Sequence, residues 1–498
     1  MLDLLFIPAA ILYLLVVCML FIYGLNFLYL TQLTIRKQNQ RLEPPHMDAY
    51  PFVTVQLPIY NEMYVARRLI EAAAQLDYPR HLLEIQVLDD STDETVNIIQ
   101  DLIECLRAQG VNIILLHREN RTGFKAGALA AGFACSKGEF LAIFDADFLP
   151  PADFLKRTVP YFKDPQVGFV QTRWGHINRD YSVLTRLQSL AIDAHFTVEQ
   201  FARSQGGFWF NFNGTAGIWR RATLESAGGW KADTLTEDLD LSYRSFLSGW
   251  RAIYLREVEV PSELPVSFSA YRKQQYRWAR GSLECAYKYL PRIWHMPMAI
   301  SKKIEATLHL TGYFVHLLLF ALAILYPLAL LLAYRYANLT SLFGFFIFFN
   351  SAALAPTILF LVAQQQLGNR WWSHLPVVLF ISAFGAGMMI NTLRAALHAF
   401  LGRNSVFERT PKFGILRKNQ SWVQKRYQLN LDPLVFPEIA FALLNLATVI
   451  LAIQQRNLFI AIYAAIFCIG LLFTSGLTIV QTAAVFWHRA RRVNVPIE

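Results

Sequence analysis

The chain has 498 residues, of which 54% are hydrophobic, and a formal net charge of +10. This length exceeds one ordinary hydrophobic core, so we expect two or more structural units. The positive charge does not indicate a nucleic-acid partner, because the basic residues collect beside long apolar runs. The 5 cysteines form no CxxC pair. Neither a zinc site nor a disulfide framework is therefore expected, and a reducing cytosol suits the polar part.

Several apolar runs are long enough to cross ~30 Å of hydrocarbon. They cover residues 4–31, 306–334, 341–363, 434–454 and 457–487. The first run has no basic start and no clear cleavage site, so we interpret residues 1–40 as a retained transmembrane anchor and not as a signal peptide. These runs predict a multi-pass integral membrane protein.

The basic residues predict which segments face the cytosol. They follow the first and last runs and fill the loop 402–433, as in the positive-inside pattern. If residues 41–300 are cytosolic, the later runs form two hairpins that return this loop and the C-terminal tail to the cytosol. The apolar segment 376–400 must then not cross. We expect it to be an interfacial or re-entrant helix with Arg394 and His398 on its polar side.

After a linker at 40–51, short apolar segments alternate with helical patterns. The predicted strands are 52–57, 85–88, 111–116 and 140–144, and the predicted helices are 62–76, 92–108 and 124–136. Such alternation is typical of a doubly wound, largely parallel α/β sheet. Ligands on these sheets bind beyond the carboxyl ends of the strands.

Two acidic residues, Asp89 and Asp90, follow the second predicted strand at that edge. A carboxylate there can accept hydrogen bonds from a base or a ribose. The alternative is local and structural, because Ser91 and Glu94 have the spacing of a capping box for the next helix. The two interpretations are compatible, and a ligand role for Asp89 and Asp90 stays open on these residues alone.

The fourth predicted strand is followed by Asp145-Ala146-Asp147. Two carboxylates two residues apart can be aimed at one hard cation, and Mg²⁺ or Mn²⁺ binds through one or two carboxylates plus substrate phosphates. The alternative is a solvated turn. The position after an apolar strand favours a metal–diphosphate site.

A basic, glycine-containing segment opens the helix predicted at 124–136. Arg121 and Lys125 flank Thr122, Gly123 and Phe124. Cations and backbone amides at a helix start can bind a phosphate. An ordinary basic helix start is the alternative.

Thr236-Glu237-Asp238 opens another predicted helix, with Thr236 as a plausible cap and a buried stripe formed by Leu239, Tyr243, Phe246 and Leu247. Acidic residues in a first turn often only compensate the helix dipole. If a carbohydrate hydroxyl has to lose its proton, however, a carboxylate at a cleft edge is a suitable general base. Asp238 is our candidate.

The helix predicted at 267–290 carries Gln274, Arg277, Trp278 and Gly281 on one face, at spacings of three and four residues. An apolar core stripe would not normally include glutamine and arginine. Arg277 can hold a diphosphate bidentately, Trp278 offers a plane to a sugar ring, and Gly281 lets another chain approach. An amphipathic interfacial helix with a tryptophan anchor is the alternative.

Taken together, these motifs resemble the processive family-2 glycosyltransferases, the cellulose, hyaluronan and chitin synthases. The family's D, DxD, TED and Q(Q/R)xRW signature is matched at Asp90, Asp145-Ala146-Asp147, Thr236-Glu237-Asp238 and Gln274 to Trp278. The segments 120–129 and 262–265 look like the cellulose synthase-like A group of mannan and glucomannan synthases and its bacterial relatives. The resemblance covers roughly residues 50–430. It also leads us to expect no cyclic-dinucleotide-sensing domain after the last run.

The resemblance implies a GT-A (Rossmann-like) catalytic domain at 41–300, inserted in an α-helical transmembrane domain whose channel-like part is 301–498. It implies one inverting displacement in which Asp238 is the catalytic base and Mg²⁺ or Mn²⁺ is held by Asp145 and Asp147. The implied donor site comprises Asp89, Asp90, Arg121, Lys125, Asp145, Gln274, Arg277, Thr410 and Lys412. The implied acceptor site comprises Trp278, Asn213, Gly214, Thr215 and Glu237.

Two of these assignments rest on segments that depart from the family pattern. Residues 407–412 resemble the FxVTxK gating loop, but Arg409 replaces valine, so only Thr410 and Lys412 carry over. Asn213-Gly214-Thr215 looks like the FCGS-type acceptor segment, with Asn213 in place of cysteine.

The expected function is polymerisation of hexose from UDP-glucose or GDP-mannose into a β-linked polysaccharide, such as a β-1,4-glucan or mannan, and its translocation across the bilayer. The implied partners are the donor, the growing polysaccharide and the lipid bilayer, with a homo-oligomer or accessory subunits as further options. The membrane would be the plasma or inner membrane, or that of the Golgi in a eukaryote. The alternatives are a ceramide glucosyltransferase-like enzyme acting on a lipid and an inactive polysaccharide-binding component.

Overall fold

The polar region folds around one seven-stranded sheet. A computed structural model describes residues 2–40, 42–335, 351–402, 408–428 and 430–493. The strand order is β3-β2-β1-β4-β6-β5-β7. The strands are β1 Val53–Ile59, β2 Leu83–Asp89, β3 Ile113–His117, β4 Phe140–Ile143, β5 Val167–His176, β6 Gly217–Arg220 and β7 Arg251–Ser262.

The first four strands confirm the predicted parallel unit. β3, β2, β1 and β4 run parallel in adjacent registers, and β1, β2 and β4 are almost wholly buried because helices cover the sheet. The helices Ala66–Ala74, Thr95–Ala108 and Phe124–Cys135 connect them, within a few residues of their predicted bounds. The carboxyl ends of β1, β2 and β4 therefore meet at one edge.

The other half of the sheet was not predicted. β6 lies antiparallel between β4 and β5, and β7 is parallel to β5. β6 has only 4 residues, which is too short for a periodic signal. β5 and β7 carry charged residues along their length, so neither gives the continuous apolar run of β1 and β2.

In the described part of the chain, four helices are long and apolar enough to cross a membrane. They are Pro8–Lys37, Phe314–Leu331, Val435–Gln454 and Leu458–Arg489. Their apolar side chains share one cluster, which includes Tyr13, Tyr326, Ala442 and Phe467. These four helices are candidate membrane spans by length and composition, and they overlap the apolar runs of the sequence.

Two predicted runs differ from the observed helices. The run 306–334 is divided between Ile300–Leu310 and a separate helix beginning at Phe314, because the first of these is amphipathic and packs on the polar region. The run 341–363 lies partly outside the described residues, and its described end belongs to the helix Ala355–Gln366.

The segment 376–400 forms a bent pair of helices, Trp371–Gly387 and Met389–Phe400, with an angle of 41° between them. Such a pair is either one broken span or a re-entrant element. Arg394 lies on the second helix and pairs with Asp432 at 3.4 Å. The expectation that this segment does not cross the membrane stays a prediction.

One long helix, Phe268–His295, joins the two parts of the molecule, and we call it the signature helix. It contacts Glu237–Leu247 on the polar side, and Met389–Phe400 and Leu458–Val493 on the membrane side. The other helices are Leu2–Lys37, Phe154–Thr158, Val183–Ala194, Phe201–Gln205 and Arg221–Ser226, with a π-helical turn at His195–Gln200.

Candidate active site

A cleft of about 1200 Å³, counting its part open to solvent, lies beyond the carboxyl ends of β1, β2 and β4. The signature helix and the segment 408–412 close its other side. Most of the predicted site residues line it: Asp90, Arg121, Lys125, Asp145, Asp147, Asn213, Gly214, Glu237, Asp238, Gln274, Arg277, Trp278, Thr410 and Lys412. Asp89 and Thr215 do not, since both are fully buried behind it.

Asp89 and Asp90 lie next to each other in sequence but have different surroundings. Asp90 lines the cleft and accepts two hydrogen bonds from Arg118, at 2.7 and 2.6 Å. Asp89 accepts a hydrogen bond from the amide of Ser91 and lies 2.7 Å from His117 Nδ1. The structure therefore brings only Asp90 to the ligand side, while Asp89 fixes the turn after β2.

The capping box expected at Ser91 and Glu94 is absent. Ser91 Oγ accepts the amide of Asn61 instead, across the gap to the segment after β1. The helix begins at Thr95, whose amide donates to Asp93 Oδ1 at 3.0 Å. Ser91 thus connects the segments after β1 and β2, and Asp93 accepts the hydrogen bond at the start of the helix.

Asp145 and Asp147 each contact a lysine. Asp145 Oδ1 lies 2.5 Å from Lys125 Nζ, and Asp147 Oδ2 lies 2.7 Å from Lys412 Nζ. Thr215 Oγ1 accepts the amide of Asp145 at 2.8 Å and holds this turn from behind. Burial raises the pKa of Asp145, although Lys125 opposes the shift.

The same two carboxylates fit a divalent metal. No group of three or more His, Cys, Asp or Glu side chains in the described ranges has the arrangement of an all-protein metal site. Mg²⁺ and Mn²⁺ do not need one, because they take one or two carboxylates and complete their coordination with phosphate oxygens and water. Asp145 and Asp147 supply that partial set beside cations that suit a diphosphate.

Lys125 is the central cation of the cleft. Besides Asp145 it contacts the carbonyl of Gly214 at 2.9 Å and Glu237 Oε1 at 3.8 Å. Burial disfavours its charged form, but Asp145 and Glu237 outweigh burial, and the pKa of Lys125 is raised. The ammonium group therefore stays charged at neutral pH and can meet an anionic ligand.

Asp238 lies in the first turn of the helix Glu237–Leu247, at the cleft edge. Its Oδ1 accepts the amide of Leu239 at 2.8 Å. Burial, with the neighbouring charge of Glu237, raises the pKa of Asp238 to about 7, while Lys125 opposes the shift. A carboxylate with this pKa can accept a proton efficiently near neutral pH.

Gly214 lets Asp238 and Lys125 come together. A Cβ atom at Gly214 would lie 2.9 Å from Asp238 Oδ2 and 3.3 Å from Lys125 Nζ, and its φ is +81°. The positive φ therefore favours glycine, and a Cβ atom would also crowd the ends of the two side chains. Beside it, Asn213 Oδ1 accepts from Asn211 Nδ2 at 2.8 Å and lies 3.2 Å from His195 Nε2.

On the signature helix, Gln274, Arg277 and Trp278 face the cleft as their spacing predicted. Burial lowers the pKa of Arg277 to about 10, with nearby carboxylates opposing the shift, so Arg277 keeps its charge at neutral pH. The ring of Trp278 lies 6.5 Å from that of Trp174. The two tryptophans form an aromatic wall of the cleft.

Gly281 fixes the distance between the signature helix and Thr236. A Cβ atom there would lie 2.4 Å from Thr236 Oγ1 and 2.8 Å from Thr236 N. Glu284 Oε2 also accepts the amide of Leu235, at 2.9 Å. The close approach predicted at Gly281 is confirmed. The cap expected from the Thr236 side chain is wrong, since it makes no such hydrogen bond and faces the signature helix.

The segment 408–412 is held at the cleft by hydrogen bonds and ion pairs. Lys412 Nζ donates to the carbonyl of Glu263 at 2.6 Å as well as contacting Asp147. Glu263, which is 1% exposed, accepts the amide of Phe413 at 3.0 Å and a hydrogen bond from Arg68 at 2.7 Å. Phe407, part of the predicted loop motif, lies outside the described residues.

Glu62 and Arg409 are site residues that the sequence analysis missed. Glu62 follows β1 as Asp90 follows β2, so the strand-end rule applied to β1 would have found it. Its Oε1 lies 3.4 Å from Arg409 Nη1. Burial raises the pKa of Glu62 to about 8 against the opposing charge of Arg409. Arg409, where the family motif has valine, therefore pairs the loop with the end of β1.

Arg118 and Trp174 were missed as well. Arg118 follows β3 and holds Asp90, and Trp174 lies on β5, a strand that the sequence did not reveal. Arg121, which was predicted, lies over the ring of Tyr60, with its guanidinium carbon 3.4 Å from the ring centroid. This side of the cleft thus combines cations with an aromatic ring.

Comparison with known proteins gives concordant matches. The sequence profile of the family described as "Glycosyltransferase like family 2" matches residues 51–281. Glucomannan 4-beta-mannosyltransferase 9 of Arabidopsis thaliana is 49% identical over 239 residues, which are 47% of this chain and 45% of that protein. Glucomannan 4-beta-mannosyltransferase 2 of the same plant is 46% identical over 266 residues, 51% of this chain and 50% of that protein. The chain spans about half the length of the curated relatives it matches.

Among solved structures, the mannosyltransferase PcManGT from Pyrobaculum calidifontis, in complex with GDP-Man and Mn²⁺, matches with a TM-score of 0.53. The match covers 80% of this chain and 100% of that one at 22% identity. This likeness concerns the fold. The polar region has the GT-A glycosyltransferase fold. Residues 51–281 match the model of glycosyltransferase family 2, and the relatives named above are glucomannan mannosyltransferases.

Replacing Gly281 with alanine tests the close approach to Thr236. The new methyl group has to push the Thr236 backbone away, and with it the helix start that carries Asp238. A displacement of ~1 Å can reduce a rate by about 100-fold, so we expect kcat to fall by 10- to 100-fold in a folded protein. Gly476→Ala is the matched control, because a Cβ atom there meets nothing within 4 Å. Equal activity of the two variants would contradict this interpretation.

Proposed function

We propose that the chain is a processive, inverting hexosyltransferase that builds a β-1,4-linked mannan or glucomannan from a nucleotide sugar and delivers it into the membrane. The observation that carries the proposal is one cleft in which Asp145, Asp147 and Asp238 meet Arg277 and Trp278. The last two lie on the signature helix, which also contacts the membrane part. The names of the relatives at 46–49% identity support the polymer and its linkage.

The same relatives favour a mannosyl donor. Their names specify a 4-beta-mannosyltransferase, so we propose GDP-mannose as the first donor to test and UDP-glucose as the second. In the cleft, Asp90 and Arg121 are assigned to the nucleoside, because they lie where ligands of parallel sheets bind. Tyr60, beneath Arg121, offers a stacking surface on the same side.

The diphosphate is assigned to the cations of the cleft. Lys125, Lys412 and Arg277 surround Asp145 and Asp147, which would hold Mg²⁺ or Mn²⁺. When bound, such a metal supplies Lewis-acid stabilisation to the departing diphosphate. The three cations act on the same charge from the protein side, and Arg277 can do so bidentately.

Asp238 is assigned as the general base. It removes the proton from the acceptor hydroxyl as that oxygen forms a bond to the anomeric carbon of the donor. The bond from this carbon to the diphosphate breaks on the opposite face, so one displacement inverts the configuration. Trp278, with Gly214 and Asn213 across the cleft, positions the acceptor sugar.

Delivery of the product follows from where the acceptor lies. We propose that residues 41–300 face the cytosol and that the helices of 301–498 form the route across the bilayer, with 402–433 as a cytosolic gating loop. The signature helix supports this arrangement, because it contacts both the helix that carries Asp238 and the helices of the membrane part. The basic residues of the loop favour the same orientation.

The decisive experiment supplies GDP-mannose or UDP-glucose, each radiolabelled, to the purified protein in lipid vesicles with Mg²⁺ or Mn²⁺. We expect a high-molecular-weight product from GDP-mannose that a β-1,4-mannanase digests. Label found only in short, organic-extractable material would instead assign the enzyme to lipid glycosylation. Label in neither fraction, with binding of mannan retained, would indicate an inactive polysaccharide-binding component.

Replacing Asp238 with asparagine should abolish transfer and leave donor binding intact. The amide keeps the shape of the side chain but cannot accept the proton, and general bases contribute ~10²–10⁴-fold. We therefore expect kcat to fall at least about 100-fold while the Kd of the donor changes less than about twofold. The control is Asp233→Asn, an exposed carboxylate on the preceding loop. Near wild-type transfer by Asp238→Asn would remove Asp238 as the base.

The pKa of about 7 at Asp238 predicts a pH profile. The base works deprotonated, so kcat should rise with pH and level off above about pH 7. Glu237 raises this pKa through its like charge, so Glu237→Gln should move the rising limb to lower pH. The measurement is kcat between pH 5 and 9 at saturating donor and metal. A limb that stays in place in Glu237→Gln would contradict the assignment to Asp238.

A further inference from the structure

Arg272 is a fully buried arginine on the signature helix, two residues before Gln274, and no step assigned above uses it. Its Nη2 donates to both carboxylate oxygens of Glu438 at 2.8 Å and to Thr478 Oγ1 at 3.1 Å. Glu438 lies on the helix Val435–Gln454 and Thr478 on Leu458–Val493. One side chain thus attaches the signature helix to two membrane helices.

The backbone of Arg272 is held as well. Its carbonyl accepts from Asn391 Nδ2 at 3.1 Å, and Asn391 Oδ1 in turn accepts from Arg394 at 2.9 Å. Arg394 pairs with Asp432 at 3.4 Å, and Asp432 also lies 3.6 Å from Arg272 Nη1. The network therefore includes a third membrane-side helix, Met389–Phe400, and the segment before Val435.

The network lies on the opposite side of the signature helix from the cleft. Side chains four residues apart share a helix face, and Tyr276 continues the Arg272 face with its hydroxyl 2.7 Å from His398 Nδ1. Arg277 and Trp278 face the cleft instead. Any rotation or sliding of the helix on its membrane side therefore moves the two cleft residues by the same amount.

A buried charged network of this kind is better suited to fixing the position of the signature helix than to stabilising the folded protein. Removing two charges from water is costly, and an apolar pair of similar volume is often equally stable or more so. Nε and Nη1 of Arg272 have no hydrogen-bond partner among the described residues, so the desolvation is not fully compensated. Apolar helix faces can slide on each other, whereas a pair with defined hydrogen bonds selects one register.

We propose that the Arg272–Glu438 pair, with Thr478 and Asn391, is a positioning element that fixes the register of the signature helix on the membrane helices. It thereby sets where Trp278 holds the acceptor relative to Asp238. The proposal rests on the function proposed above. Its consequence is specific, because loss of the pair should impair acceptor use and elongation more than donor binding, to which the strand side of the cleft contributes independently of the signature helix.

The test replaces both partners, since removing one would strand a buried charge. We expect Arg272→Met/Glu438→Met to fold and to transfer at least 10-fold more slowly to acceptor relative to donor hydrolysis. Its products should be shorter, and its donor Kd should change by less than this factor. Arg272→Lys, which keeps one charged donor, should be intermediate. The control is Arg203→Met/Glu305→Met, a buried pair at 2.9 Å of which neither member lies on the signature helix.

A second readout separates this proposal from the proposed function. Hydrogen exchange of the amides of 274–281 should accelerate in Arg272→Met/Glu438→Met and not in the control pair. If the wild-type chain makes no polymer, the proposed function fails. Faster exchange of the amides of 274–281 in the double variant would still support the role of the Arg272–Glu438 pair in fixing the register of the signature helix. Wild-type product lengths together with unchanged exchange in the double variant would overturn the positioning role.

Discussion

The signature helix has to satisfy two environments at once, and the rest of the site depends on this constraint. One face presents Gln274, Arg277 and Trp278 to a polar cleft, while the other lies against membrane helices. A rigid helix fixes the distance between these environments, because its side chains cannot move independently of its axis. Gly281 sets the contact with Thr236 on one side, and Arg272 sets the contact with Glu438 on the other.

Carboxylates and lysines alternate in the cleft, so that each charge lies next to one of opposite sign. Carboxylates that would repel one another share lysines, so Asp145 pairs with Lys125 and Asp147 with Lys412. Burial and the neighbouring charge of Glu237 raise the pKa of Asp238 to about 7, although Lys125 opposes the shift. Carboxylates in one cleft can therefore have different roles, because different surroundings give neighbouring carboxylates different pKa values.

The parallel half of the fold was predictable because β1, β2 and β4 are buried apolar segments with intervening helices. The strand-end rule then located Asp90, Asp145 and Asp147, and helix periodicity located Arg277 and Trp278. β5, β6 and β7 were not predictable, since they are short or carry charges, and so Trp174 was missed. Asp89 shows the limit of the rule, because neighbouring residues at a strand end point to opposite sides and only the packing decides which one meets the ligand.

In the loop after the helix Met389–Phe400, an arginine stands where the resembling motif has valine, and its contacts are those of a charged side chain. Where the resembling motif has an apolar valine, Arg409 reaches Glu62, and Lys412 is shared between Asp147 and the carbonyl of Glu263. The segment is therefore attached to β1, to β4 and to the end of β7 by charged groups. A ligand entering the cleft has to compete with these pairs, and an anionic diphosphate can do so because it offers Lys412 and Arg409 the same kind of partner that Asp147 and Glu62 provide.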